Sequence, residues 1–146
     1  MKATVFDLPP VVEMARERIE EAGMMDRVTL VPGDFYKDEL PPGHDLAFLS
    51  AIIHQNSLEQ NQELYHKVFR SLDPGGRIVI RDHVMSLDRT QPEDGAIFAV
   101  NMLVNTTGGG TYTFDEINEG LTEAGFVGVK QLQSKGMLSL VEAFKP

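Results

Sequence analysis

Short apolar runs closed by turn residues alternate with amphipathic stretches along this chain. Thr4-Val5-Phe6 is the first run, with Asp7 at its C-terminal tip. Pro9-Pro10 then opens a helical stretch, because proline is tolerated in a first helical turn. The spacing predicts buried positions at Val11, Met14, Ala15, Ile19 and Ala22, with Glu13, Glu17, Glu20 and Glu21 outside. Gly23 suits the position just past the helix end. Val28-Thr29-Leu30-Val31 reads as a second strand, closed by Pro32-Gly33-Asp34. Leu46-Ala47-Phe48-Leu49 is a third, and an apolar run of that length predicts a strand buried on both faces.

Ser57 and Gln60 stand three apart, the spacing of a capping box. The helix they open carries Leu64, Tyr65, Val68, Phe69 and Leu72 at intervals of three and four. Asp73-Pro74-Gly75-Gly76 reads as a turn before a fourth strand over 77–82. Residues 93–105 are helical in pattern but almost without a polar face, so the segment 97–104 is expected to be buried or covered. Asn101 and Asn105 share its polar side. Thr113 and Glu116 repeat the capping box, for a helix ending near Gly125. Strands over 126–132 and 137–144 are joined by Ser134, Lys135 and Gly136, and so short a loop makes them antiparallel. The alternation predicts one α/β domain over 1–146: parallel strands near 3–7, 27–31, 45–50 and 77–82, then an antiparallel hairpin from 126 to 144.

A chain of 146 residues can bury a real core. It has no cysteine, which excludes disulfides, thiolate nucleophiles and Cys-ligated metal; no metal is expected. The formal net charge is −9, which disfavours phosphate backbones, so nucleic acid is not an expected partner. No apolar run reaches membrane-spanning length, and the opening residues do not form a signal peptide. A cytoplasmic protein is the expectation.

The chemistry concentrates around residues 45–56. His54 falls between the C-terminal end of a strand and the capping box of the next helix, the edge where open α/β sheets bind ligands. A neutral imidazole there can take a proton near pH 7. Asp82 ends the neighbouring strand, and neighbouring strands lie about 4.8 Å apart, so the two side chains can meet.

The ordered set FDLP, PGDF, AIIHQN, LDPGGRIVIRD and GGGTYTFDEI resembles the catalytic domain of S-adenosylmethionine-dependent O-methyltransferases. The nearest group is the plant caffeic-acid type with its bacterial small-molecule relatives. The resemblance implies a Rossmann-like class I methyltransferase sheet and S-adenosyl-L-methionine as cofactor. It implies that Asp7 holds the ribose hydroxyls, that Asp34 and Phe35 flank the adenine, and that Ser50 lies by the cofactor. It makes His54 the general base, oriented by Asp82, and sets Asn101, Met102 and Asn105 near the substrate.

The departures from the family pattern are specific. Gln55 stands where an acidic residue often follows the histidine, and Thr111 where a second acidic partner falls. The family's first strand and glycine-rich turn have no counterpart before Thr4, and neither does its helical dimerisation domain. The Gly108–Gly110 run follows a helix rather than a strand, so it does not replace that turn. An unfilled strand position would leave exposed edges, through which the chain is expected to associate or form a homo-oligomer. Two classes of function therefore stand at this stage: O-methyl transfer to a small hydroxylated molecule, or a non-catalytic binding or assembly module on the same half-fold. A dehydrogenase half is disfavoured, because no GxGxxG occurs.

Overall fold

The computed structural model of the chain describes residues 1–133 and 137–146. The turn expected at Ser134, Lys135 and Gly136 lies outside the described residues. The chain divides into two compact units, Met1–Pro42 and Gly43–Pro146.

The first unit is a βαβ element. Strand β1 (Ala3–Asp7) and strand β2 (Val28–Pro32) pair in parallel, from Ala3 opposite Val28 to Asp7 opposite Pro32. Helix α1 (Pro9–Glu21) connects them, with proline in its first turn as expected. It ends in a Schellman motif: the Met24 N–H donates to Ile19 O at 3.0 Å, the Gly23 N–H to Glu20 O at 2.9 Å, and Gly23 is left-handed at φ 65°. Its buried stripe differs from the expected one. Val12 is buried, while Val11, Met14 and Ala22 are exposed. Val12, Ala15 and Ile19 follow the same three-and-four spacing one position round, so periodicity fixed the pattern but not its phase.

The second unit holds a four-stranded mixed sheet in the order β3-β4-β8-β7. Strand β3 (His44–Ser50) and strand β4 (Leu72–Asp82) are parallel. Strand β7 (Val127–Gln133) and strand β8 (Ser139–Phe144) form the expected antiparallel hairpin, and β8 also pairs antiparallel with β4. Strand β4 starts at Leu72 rather than at residue 77. Its glycine turn is drawn in by the Gly75 N–H on Lys145 O (3.0 Å) and the Lys145 N–H on Gly76 O (2.8 Å).

Helix α2 (Leu58–Ser71) and helix α4 (Phe114–Glu123) begin in the two expected capping boxes, Ser57 with Gln60 and Thr113 with Glu116. Leu64, Tyr65 and Val68 of α2 are buried, as are Ile117 and Leu121 of α4, Ile78 and Ile80 of β4, and Val141 and Ala143 of β8. Phe69 meets Phe126 edge to face at 5.1 Å. Two short strands, β5 (Val84–Met85) and β6 (Tyr112–Thr113), form a parallel bridge. Helix α3 (Glu93–Asn105) lies between them in sequence.

Two burial expectations fail. Strand β3 is not buried on both faces, since Leu46 is 41% and Phe48 56% exposed. The strand pairs with β4 alone among the described residues, and an apolar run cannot report that it sits at an edge. Helix α3 is not covered either: Ile97, Val100, Leu103 and Val104 are 62–77% exposed.

Candidate active site

Parallel strands β3 and β4 set Ser50 opposite Arg81, so the chain beyond both strands leaves from the same sheet edge. Beyond Ser50 the backbone turns sharply through Ala51, a non-glycine residue at φ 58°. That left-handed conformation costs roughly 1–2 kcal/mol, and such strain persists only where surroundings over-determine it. A 3₁₀ turn, Ile53–Gln55, follows and presents His54.

The His54 ring returns to the end of β4. Its Nδ1 lies 2.9 Å from Asp82 Oδ1 and 3.1 Å from Oδ2. Asp82 is 1% exposed and His54 16%. An ionised carboxylate only accepts, so Nδ1 carries the proton and Nε2 is left as the acceptor. Asp82 Oδ1 also accepts the backbone N–H of His83 at 2.8 Å. Two tyrosines feel this carboxylate. Burial pushes the Tyr65 phenol well above its ordinary range and Asp82 adds to the rise. Burial, with Glu116 and Glu59 behind it, pushes Tyr112 up to about 12.

Two residues at the site were not legible in the sequence. Strand alternation sends His83 to the face opposite Asp82, but β4 ends at Asp82 and alternation ends with it. The buried His83 ring turns towards His54, edge to face at 6.3 Å between centroids. Phe98 of α3 stacks on His83 at 4.5 Å and meets His54 edge-on at 4.9 Å. Burial lowers the His83 pKa from its ordinary value. Its Nδ1 is the one buried side-chain polar atom without a hydrogen bond among the described residues. The strand end at Asp82 was the available signal for His83; Phe98 looked like any other position in an apolar run.

The other expected substrate residues are spread along α3. Met102 is buried; Asn101 and Asn105 are exposed and joined to each other by the Asn105 side-chain amide. Ser50 accepts from Arg81 Nη1 at 3.2 Å, leaving its own proton to be given elsewhere.

In the first unit, Asp7 and Asp34 share one end of the β1–β2 sheet. Asp7 O accepts the Gly33 N–H at 2.8 Å, and Asp7 Oδ1 accepts the Leu8 N–H at 2.7 Å. Asp34 Oδ1 accepts the Tyr36 N–H at 3.0 Å, and Oδ2 pairs with Lys37 at 3.0 Å. Phe35 packs against Tyr36 at 4.5 Å. A Cβ at Gly33 would fall 2.4 Å from the Phe6 ring, so any larger residue there would push that ring aside.

Comparison with known proteins bears on this geometry. A family model described as an O-methyltransferase domain matches residues 1–127. The 3-hydroxy-5-methyl-1-naphthoate 3-O-methyltransferase of Streptomyces sahachiroi is 38% identical over 125 residues, covering 86% of this chain and 36% of that protein. The tetracenomycin polyketide synthesis 8-O-methyl transferase of Streptomyces glaucescens is 30% identical over 146 residues, 100% of this chain and 43% of that protein. The crystal structure of human N-acetylserotonin methyltransferase in complex with SAM is similar with a TM-score of 0.87 at 28% identity, covering 99% of this chain and 40% of that one. The chain thus spans less than half the length of these relatives.

Proposed function

Because the chain belongs to the O-methyltransferase domain family, we propose that it is the catalytic part of an enzyme that methylates a hydroxyl oxygen of a small phenolic or polyketide-like molecule, with S-adenosyl-L-methionine as methyl donor. The observation that carries this reading is the His54–Asp82 pair, 2.9 Å apart at the ends of neighbouring parallel strands.

When bound, the donor supplies a methyl group on a positively charged sulfur. A phenol, with a pKa near 10, is mostly neutral at pH 7 and a weak nucleophile. His54 Nε2 accepts the hydroxyl proton as the oxygen–methyl bond forms and the sulfur–methyl bond breaks. Asp82 then pairs with the imidazolium, and its hydrogen bond to Nδ1 holds the ring in the tautomer that leaves Nε2 free to act. Phe98 gives an aromatic substrate ring a surface beside the base. Met102, one turn on, extends that surface, and Asn101 and Asn105 offer amide groups to polar substituents.

The acceptors present suit the donor molecule. A carboxylate takes several hydrogen bonds at once, which fits Asp7 to ribose hydroxyls and Asp34 to the adenine amino group. Phe35 would pack on the adenine and Ser50 would donate its hydroxyl proton. The reading includes a cytoplasmic location and self-association. The exposed Ile97, Val100, Leu103 and Val104 side chains support the second.

A chimera tests this proposal. This chain replaces the matching segment of the Streptomyces sahachiroi relative, and the product is offered methyl-labelled S-adenosylmethionine with 3-hydroxy-5-methyl-1-naphthoate and a panel of other phenols. Label recovered on a phenolic oxygen is the expected result. A folded chimera that binds the donor yet labels no phenol contradicts the reading.

A further inference from the structure

Gly108 and Gly109 lie against the turn that carries His54 and the residue that follows it. Three carbonyls of that turn are each taken by a donor from a different element. Asn61 of α2 donates its side-chain amide to Ile53 O at 3.0 Å, and its own oxygen accepts from Asn56 at 3.0 Å. The Tyr112 hydroxyl of β6 donates to Asn56 O. The Gly110 N–H donates to His54 O at 2.9 Å. Asn56 and Asn61 are both buried, so none of these bonds is easily replaced by water.

Gly109 makes the last bond possible. A Cβ at this position would lie 2.5 Å from His54 O, 2.4 Å from Thr106 Oγ1 and 3.1 Å from the Gln55 carbonyl carbon. Two of those three neighbours are backbone atoms of the turn, so no side-chain rotation relieves the clash. The approach requires glycine. Gly110, next in sequence, has open space where its Cβ would be. The strap is tied back to α3: the Gly109 N–H donates to Thr106 Oγ1 at 2.8 Å, and that hydroxyl donates to Met102 O at 2.7 Å. Helix α3 therefore holds His54 twice, by Phe98 on its ring and by the strap on its backbone.

We propose that the segment 106–110 is a positioning strap for His54, in which the missing side chain of Gly109 lets the Gly110 N–H close on the His54 carbonyl and so sets the imidazole against Asp82. The proposal rests on the reading of His54 as the base, and it deepens it. A base must be held to within a fraction of an ångström of its working position. A turn entered through the strained Ala51 does not hold itself. The strap also explains why the residue type matters at 109 and not at 110.

The test is spectroscopic and uses this chain with 15N-labelled histidine. The Nδ1–H of a histidine bonded to a buried carboxylate gives a far-downfield proton resonance that reports the His54–Asp82 bond whether or not the protein turns over substrate. Gly109→Ala should shift or abolish that resonance, and Gly110→Ala should leave it in place. Val141→Ala, a core change on β8, lowers stability without altering the strap and should also leave it. If Gly109→Ala does not fold, Thr106→Val removes the hydroxyl that holds the strap and should move the resonance in a folded protein. An unmoved His54 resonance in Gly109→Ala, or in Thr106→Val where it is the variant read, overturns the proposal. So does an equal shift in Gly110→Ala or Val141→Ala. Failure of methyl transfer by the unsubstituted chimera, with these shifts observed, would count against the catalytic reading and leave the strap standing.

Discussion

The Asp82 carboxylate accepts the His54 Nδ1–H at 2.9 Å while almost wholly withdrawn from solvent. A buried carboxylate needs partners, and here its partners are the proposed base and the N–H of the next residue, His83. The pair couples the end of β4 to the turn after β3, so sheet register determines where His54 stands.

Asp82→Asn keeps the shape and removes the charge. The imidazolium formed during proton transfer then lacks its counter-charge, and methyl transfer should slow. The loss should be smaller than the roughly 10²–10⁴-fold loss expected on removing a positioned base. Single-turnover rates at saturating donor check this, with an unchanged rate counting against the orienting role.

His83 makes stability pH-dependent. Burial holds its folded pKa below the ordinary value of 6.5. Above that value both folded and unfolded forms are neutral and the contribution is fully present. As pH falls below 6.5 the unfolded chain binds a proton that the folded one resists, and stability is lost. His83→Phe preserves an aromatic partner for Phe98 and should flatten this slope. Urea unfolding at pH 5, 6 and 8 measures it; an equally steep slope in the variant would assign the pH dependence to other groups.

Tyr112→Phe leaves the Asn56 carbonyl without the donor it has in the native protein. Losing a hydrogen bond costs about 0.5–1.5 kcal/mol, and urea unfolding at neutral pH should report a loss of that size. The native hydroxyl, its pKa pushed up to about 12, stays a donor throughout the neutral range. Its contribution is complete below pH 10 and fades as pH rises through 10–12, where the unfolded tyrosine ionises first. Tyr112→Phe should therefore lose less stability than the native protein over that alkaline window.

Local signals were readable, and long-range ones only in part. Both capping boxes stand where Ser57 and Thr113 announce them, because a cap is settled within four residues. The meeting of His54 with Asp82 followed from strand ends in parallel neighbours. Helix α1 shows the limit of periodicity: three-and-four spacing fits two adjacent faces, and packing chose the one with Val12. Phe48 and Leu46 looked like a doubly covered strand because composition carries no information about which strand lies at an edge. His83 escaped because alternation was carried one residue past the end of β4. The two-residue bridge of β5 and β6 is too short to leave a pattern. The role of Gly109 depends on a neighbour far away in sequence, although three successive glycines could have been taken as a sign of close backbone approach.

The most direct test of the account is the methyl-transfer rate of the chimera carrying His54→Ala, measured from pH 6 to 9 at saturating S-adenosylmethionine beside the unsubstituted chimera. The account predicts a fall of about 10²–10⁴-fold across that range. Near-full activity in His54→Ala, with activity abolished instead by His83→Ala, would contradict it.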